Sequence, residues 1–151
     1  MSALGRQPRC ALIDRQTGQV LLPRLELALT WWQRLRGWQM ADWPSPGSGL
    51  LLYPCWAIHT LGMRFPIDAA FLASDGTILA LLVHRRPWRL VPPVRSAIAV
   101  LEVPSGGCLL RPGQQLGVAV SDGLMLKDLP FSLVWEGAWV VDGTESPGWS
   151  T

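Results

Sequence analysis

The sequence predicts a mainly-β domain, an antiparallel β-sandwich or barrel with one short α-helix in its N-terminal half. Three observations carry this. The apolar runs are short, and nearly every one is bounded by Pro, Gly, Asp or Ser. The 15 Gly and 13 Pro are scattered from end to end, which suits many turns and few long elements. A single stretch, Leu25 to Trp38, repeats apolar residues at helical spacing.

Taken in order, Cys10–Asp14 and Gln19–Leu22 read as a hairpin joined by a loop that contains Gly18. In the predicted helix, Leu25, Ala28, Leu29, Trp32 and Leu35 form the apolar stripe, while Glu26, Gln33, Arg34 and Arg36 lie off it. Pro23 suits the entry, Gly37 the exit, and Arg34 and Arg36 the C-terminal end of the helix dipole. Residues 43–49 form a Pro/Gly/Ser loop. Short strands are then expected at Leu50–Tyr53, Cys55–Thr60, Ile67–Ala73, Thr77–His84, Ala97–Val103 and Leu116–Val120, with a hairpin turn at Ser74-Asp75-Gly76. Alternation of Phe131, Leu133 and Trp135 with Ser132, Val134 and Glu136 predicts one more strand.

With 151 residues, 49% of them hydrophobic, the chain can bury a core without disulfide or metal staples, as one β domain over 1–141. Residues 142–151 read as a loose tail. Charged residues are 16% against a usual ~25%, which excludes wholesale disorder. The net charge of +2 is too small to argue for nucleic acid by itself, although twelve of the thirteen basic residues are Arg and only Lys127 is Lys. The segment up to Asp14 carries Arg6 and Arg9 and lacks the apolar run of a signal peptide. The longest uncharged stretch, Gly49–Met63, is broken by Pro54 and His59 and falls short of the ~20 residues of a membrane helix. A soluble, cytoplasmic chain with no membrane partner is expected. Cys10, Cys55 and Cys108 have no CxxC spacing and predict no disulfide framework.

The densest set of reactive residue types lies in 55–72. If Cys55–Thr60 and Ile67–Leu72 pair as a hairpin, His59 faces Asp68 across the strands, with Cys55 further along the same face. The pair then either locks the hairpin, or forms a polar pocket with Thr60 and Arg64, or joins Cys55 in a metal or nucleophile site. The last is weakest, because four residues along a strand separate Cα atoms by ~13 Å. No HExxH, GxSxG, Walker or GxGxxG pattern occurs, so no catalytic residue is assigned and His59 and Asp68 stand as candidates only. No metal and no cofactor is expected. A second cluster, His84 to Arg95, sets Arg85, Arg86, Arg89 and Arg95 around Trp88 in a Pro-stiffened loop that could hold a phosphate or stack on a base. Glu102 is a lone acid in an apolar strand and, if buried, needs a partner such as one of these arginines. Of nine tryptophans, Trp31, Trp32 and Trp38 fall within the predicted helix, so at least one faces outward or lines a groove.

Together the pieces Arg34-Leu-Arg-Gly37, Gly49-Leu-Leu-Leu52, Ile58-His-Thr-Leu-Gly-Met-Arg-Phe-Pro-Ile-Asp68, Phe71-Leu-Ala-Ser-Asp-Gly76, Pro87-Trp-Arg89, Val100-Leu-Glu-Val-Pro-Ser-Gly106 and Leu110-Arg-Pro-Gly113 resemble the DUF192 (UPF0127) family of small bacterial and archaeal proteins. Their order and spacing cover roughly residues 20–120. The resemblance implies a single mainly-β domain of jelly-roll-like type and no established reaction. Trp38 stands where the family often has Leu, and a Trp-rich extension, 121–141, goes beyond the family core. The functional expectation is a non-enzymatic domain that binds a small polar or anionic ligand or a protein partner. Its candidate site residues are His59, Thr60, Met63, Arg64, Asp68, Arg89 and Glu102. The alternatives are a hydrolase- or transferase-type enzyme with His59 as general base, and a nucleic-acid contact through Arg85–Arg95. Oligomeric state is not legible from these residues.

Overall fold

The computed structural model describes residues 10–120, 129–135, 140–141 and 144–145. It is mainly β, with one short helix. Seven strands make one mixed sheet: β1 (Cys10–Asp14), β2 (Val20–Ala28), β3 (Ser48–Leu52), β5 (Ile67–Leu72), β6 (Ile78–Arg85), β8 (Ala99–Pro104) and β9 (Leu116–Val120). Their spatial order is β6-β5-β8-β3-β2-β1-β9, antiparallel throughout except for the parallel β2–β3 pair. The two remaining short strands of the domain, β4 (Ile58–His59) and β7 (Leu90–Val91), pair with each other in a separate ribbon. The helix α1 spans Trp31–Arg36.

The sheet curls until its outer strands touch at one end. Thr77, at the start of β6, bridges Gln115, at the start of β9, and Leu116 N–H donates to Gly76 O at 2.9 Å. The barrel does not close along its length. Gly76 is required at this corner, because its φ is +86° and a Cβ there would lie 2.0 Å from Leu116 O. Inside the curl, Leu12, Leu22, Leu51, Leu72, Leu101 and Leu116 form one core. A second core lies on the outer face, where Leu50, Leu52, Ala69, Phe71 and Val100 are covered by Trp38, Ile58, Met63, Phe65 and Val91. Alternate residues of β3, β5 and β8 therefore face different cores, and these strands are buried on both sides.

The hairpin at Asp14–Gln19, the turn at Ser74–Gly76 and the strands near 50, 67, 78, 99 and 116 lie where the sequence predicts them. The helix does not. Residues 25–28 continue β2, and only 31–36 are helical. A register shift along β1–β2 inserts an extra residue between Leu22 and Leu25, and Ala28 is buried on the opposite face in the second core, so the three are buried at intervals of three. That spacing imitates one face of a helix. The true helix starts at a capping box, Thr30 Oγ1 accepting from Gln33 N and Gln33 Oε1 from Thr30 N. A second correction concerns Cys55–Thr60, of which only Ile58–His59 is a strand, because Cys55 and Trp56 instead bond through their backbones to Ile98 and Val94. A third concerns Phe131–Trp135. After Pro130, Phe131–Leu133 form a 3-10 turn, and Val134 then bridges β9 at Val118. Most of the extension 121–141 and of the expected tail lies outside the described residues. Within them, Val140–Val141 (β10) and Thr144–Glu145 (β11) pair as a small ribbon.

Candidate functional site

A cleft of about 400 Å³ opens on the outer face of the sheet, between α1 with its following turn and the 54–63 loop. Trp31, Arg34, Leu35, Gly37 and Trp38 line one wall, and Cys55, Trp56, Ile58, His59 and Met63 the other. Leu52 and Glu102 lie between them. Trp38 is buried against Phe65, ring centroids 5.7 Å apart, whereas Trp31 and Trp56 are 68% and 57% exposed at the mouth. Apolar walls with a few polar groups are the usual make-up of a small-molecule site.

Glu102 is the unusual member. Its cross-strand neighbours Leu50 and Ala69 belong to the outer core, so its side chain points to that face. It is 3% exposed, and Oε2 has no hydrogen-bond partner. The arginine partner expected from the sequence does not arrive. Arg34, in the same cleft, donates instead to the carbonyls of Leu29 (2.6 Å) and Tyr53 (3.4 Å). Burial pushes the Glu102 pKa up to about 8, so the carboxyl is protonated at neutral pH. Gly37 leaves room beside it: a Cβ at 37 would lie 3.9 Å from Oε2.

His59 is half-buried on the cleft wall, its Nδ1 accepting from Leu61 N–H at 3.2 Å. A neutral ring with that bond carries its proton on Nε2. Cys55 Sγ donates to Ala57 O at 3.0 Å. Burial, chiefly, raises its pKa, with Glu102 adding to the effect and the Ala57 bond and Arg34 opposing it. It is therefore a thiol rather than a thiolate nucleophile.

The predicted His59–Asp68 pair is not formed. β4 pairs with β7, while β5 lies between β6 and β8, so the two segments never face each other as a hairpin. Asp68 shares a cross-strand position with Val103 of the inner core, the opposite face from Glu102. Its Oδ1 accepts from His84 N–H (2.8 Å) and its Oδ2 from Gly106 N–H (3.2 Å). Nor do three other candidates reach the cleft. Thr60 is fully buried, its Oγ1 donating to Arg86 O (2.7 Å) and accepting from Arg89 N–H (2.9 Å). Arg64 pairs with Asp42 at 3.1 Å in solvent. Arg89 is exposed, as are Arg85, Arg86, Arg95 and Trp88. Of the seven predicted site residues, His59, Met63 and Glu102 come together. Sequence reasoning missed Arg34, Gly37 and Trp56 as wall residues, whereas Cys55 stood there only in a metal or nucleophile reading and Trp31 and Trp38 only as members of a set expected to face outward or line a groove.

A model of the DUF192 family, described as "Uncharacterized ACR", matches residues 12–118. No curated protein matches the chain. Among solved structures, one from Sinorhizobium meliloti 1021, described as a "putative transcription regulator", is 26% identical with a TM-score of 0.62, over 74% of this chain and 92% of that one. Another, of unknown function and from Novosphingobium aromaticivorans DSM 12444, has a TM-score of 0.60 at 19% identity, over 77% of this chain and 89% of that one. The latter likeness is one of fold. No helix among the described residues is long and apolar enough to cross a membrane.

Proposed function

The chain belongs to the DUF192 family, and within it we propose a non-catalytic small-molecule-binding domain whose site is the cleft floored by Glu102. The observation that supports this is a carboxyl oxygen buried without a partner where an aromatic-walled cleft reaches the sheet. An unpaired buried polar atom costs about 1–3 kcal/mol, and a bound ligand that supplies the missing hydrogen bond recovers that cost. Catalysis is disfavoured, because His59 has no contact with Asp68 to orient it and Cys55 is held as a thiol. The three free cysteines support a cytoplasmic setting.

The test is native mass spectrometry and tryptophan fluorescence of the full chain, with Glu102→Gln and Trp56→Ala beside it. Loss of a co-purified or titrated ligand in both variants, with no fall in melting temperature for Glu102→Gln, is the expected result. A ligand that both variants retain places the site elsewhere. A second reading, a nucleic-acid contact, is supported by exposed Arg85, Arg86, Arg89 and Arg95 around exposed Trp88. The name of the Sinorhizobium protein points the same way. Such binding weakens steeply with added salt, and absence of binding at low salt removes it.

A further inference from the structure

Among the described residues, the Glu102 side chain makes neither a hydrogen bond nor an ion pair, and its Oε2 lacks an N–H or O–H to accept from. The groups facing it are settled elsewhere: Arg34 on two carbonyls, Cys55 on Ala57 O, His59 Nδ1 on Leu61 N–H, while Arg36 is exposed to screening solvent at the rim. Trp31, Trp38 and Trp56 line the walls, and the face of a tryptophan ring attracts cations and repels anions. Of the basic side chains lining the cleft, Arg34 is committed to two carbonyl oxygens and Arg36 is exposed at the rim, while Arg64 and Arg89 lie outside it.

Resting on the cleft as the binding site, we propose that its ligand class is an organic amine, with the protonated nitrogen against Glu102 Oε2 in the space beside Gly37 and the apolar body against Trp31 and Trp56. The nitrogen supplies donors to the orphaned oxygen, and its charge is met by a carboxylate and tryptophan faces together. In the empty cleft the carboxyl holds its proton up to about pH 8. Seating a cation therefore expels that proton, and affinity rises as the pH approaches 8.

The experiment is calorimetric titration of the full chain with benzylamine, its neutral isostere benzyl alcohol, and benzoate, in two buffers of different ionisation heat. Benzylamine is expected to bind roughly tenfold or more tightly than benzyl alcohol, with release of about one proton per amine at neutral pH. Glu102→Gln is expected to abolish both the preference and the proton. The proton count on the unaltered chain stands even if that variant folds poorly. Equal or tighter binding of benzyl alcohol or benzoate, or an amine preference that survives Glu102→Gln, overturns the amine. The cleft reading then stands if Trp56→Ala still weakens binding. Absence of binding of all three probes at millimolar concentration overturns both.

Discussion

Asp68 and Glu102 are buried carboxyl groups on adjacent strands, offset by one residue in register and pointing through opposite faces of one sheet. Asp68 meets two backbone N–H groups, one from His84 at the irregular end of β6 and one from the 105–107 turn, so it fastens a strand end and a turn to β5. The Glu102 side chain meets no donor among the described residues, and instead of a loop it has a cleft before it. Both are buried acids. What separates a structural acid from a candidate binding acid is whether the fold brings it donors. Asp14 behaves like Asp68. Burial works against its ionisation, but bonds from Gln114 and from the N–H groups of Gln16 and Thr17 outweigh it and lower its pKa.

The contrast breaks first at Asp68. Asp68→Ala leaves two part-buried N–H groups without their acceptor and is expected to cost about 2–4 kcal/mol by chemical unfolding, with Asp68→Asn costing less because one acceptor survives. Unchanged stability in Asp68→Ala would remove the structural role. Glu102 makes the opposite prediction through pH. Its pKa is raised by burial from 4.5 to about 8 on folding, so the folded state holds a proton that the unfolded chain gives up. The associated stability is fully present below pH 4.5 and is lost as pH rises towards 8, on the order of 5 kcal/mol in all. Glu102→Gln is expected to flatten that slope and to be the more stable protein at pH 8, as unfolding at a series of pH values will show. Thr60→Val sharpens the contrast with a neutral group, since it removes two bonds that tie residue 60 to Arg86 and Arg89. It should cost about 1–2 kcal/mol in thermal unfolding. Arg64→Ala, which opens a solvated ion pair, should move stability by no more than about 0.5 kcal/mol.

Glu102 was legible from the sequence because an acid in an apolar strand is conspicuous whatever its partners. Its lack of a partner was not, since that depends on where Arg34 finds carbonyl oxygens. The His59–Asp68 pairing failed for a related reason. Consecutive strand-like segments read as a hairpin, but the chain sends 58–59 to 90–91 and 67–72 to 99–104, contacts that sequence spacing does not encode. Likewise the bulged β2 carried a period of three that helical reading absorbed. Turns governed by local chemistry, such as Ser74–Gly76, were read correctly because their cause lies within a few residues.

The meeting of the sheet's outer strands has a consequence for self-assembly. A free strand edge is a template on which another chain can polymerise. Here the Thr77 end of β6 is spent on Gln114 and Gln115, and the outer side of β9 receives Val134 and Trp135 at Val118. The other end of β6 ends on His84, at a φ of +55°, and on exposed Arg85, a kink and a charge that spoil a straight template. Among the described residues, the chain thus covers one end of β6 and part of β9 with its own backbone and kinks the other end of β6 away from a straight template.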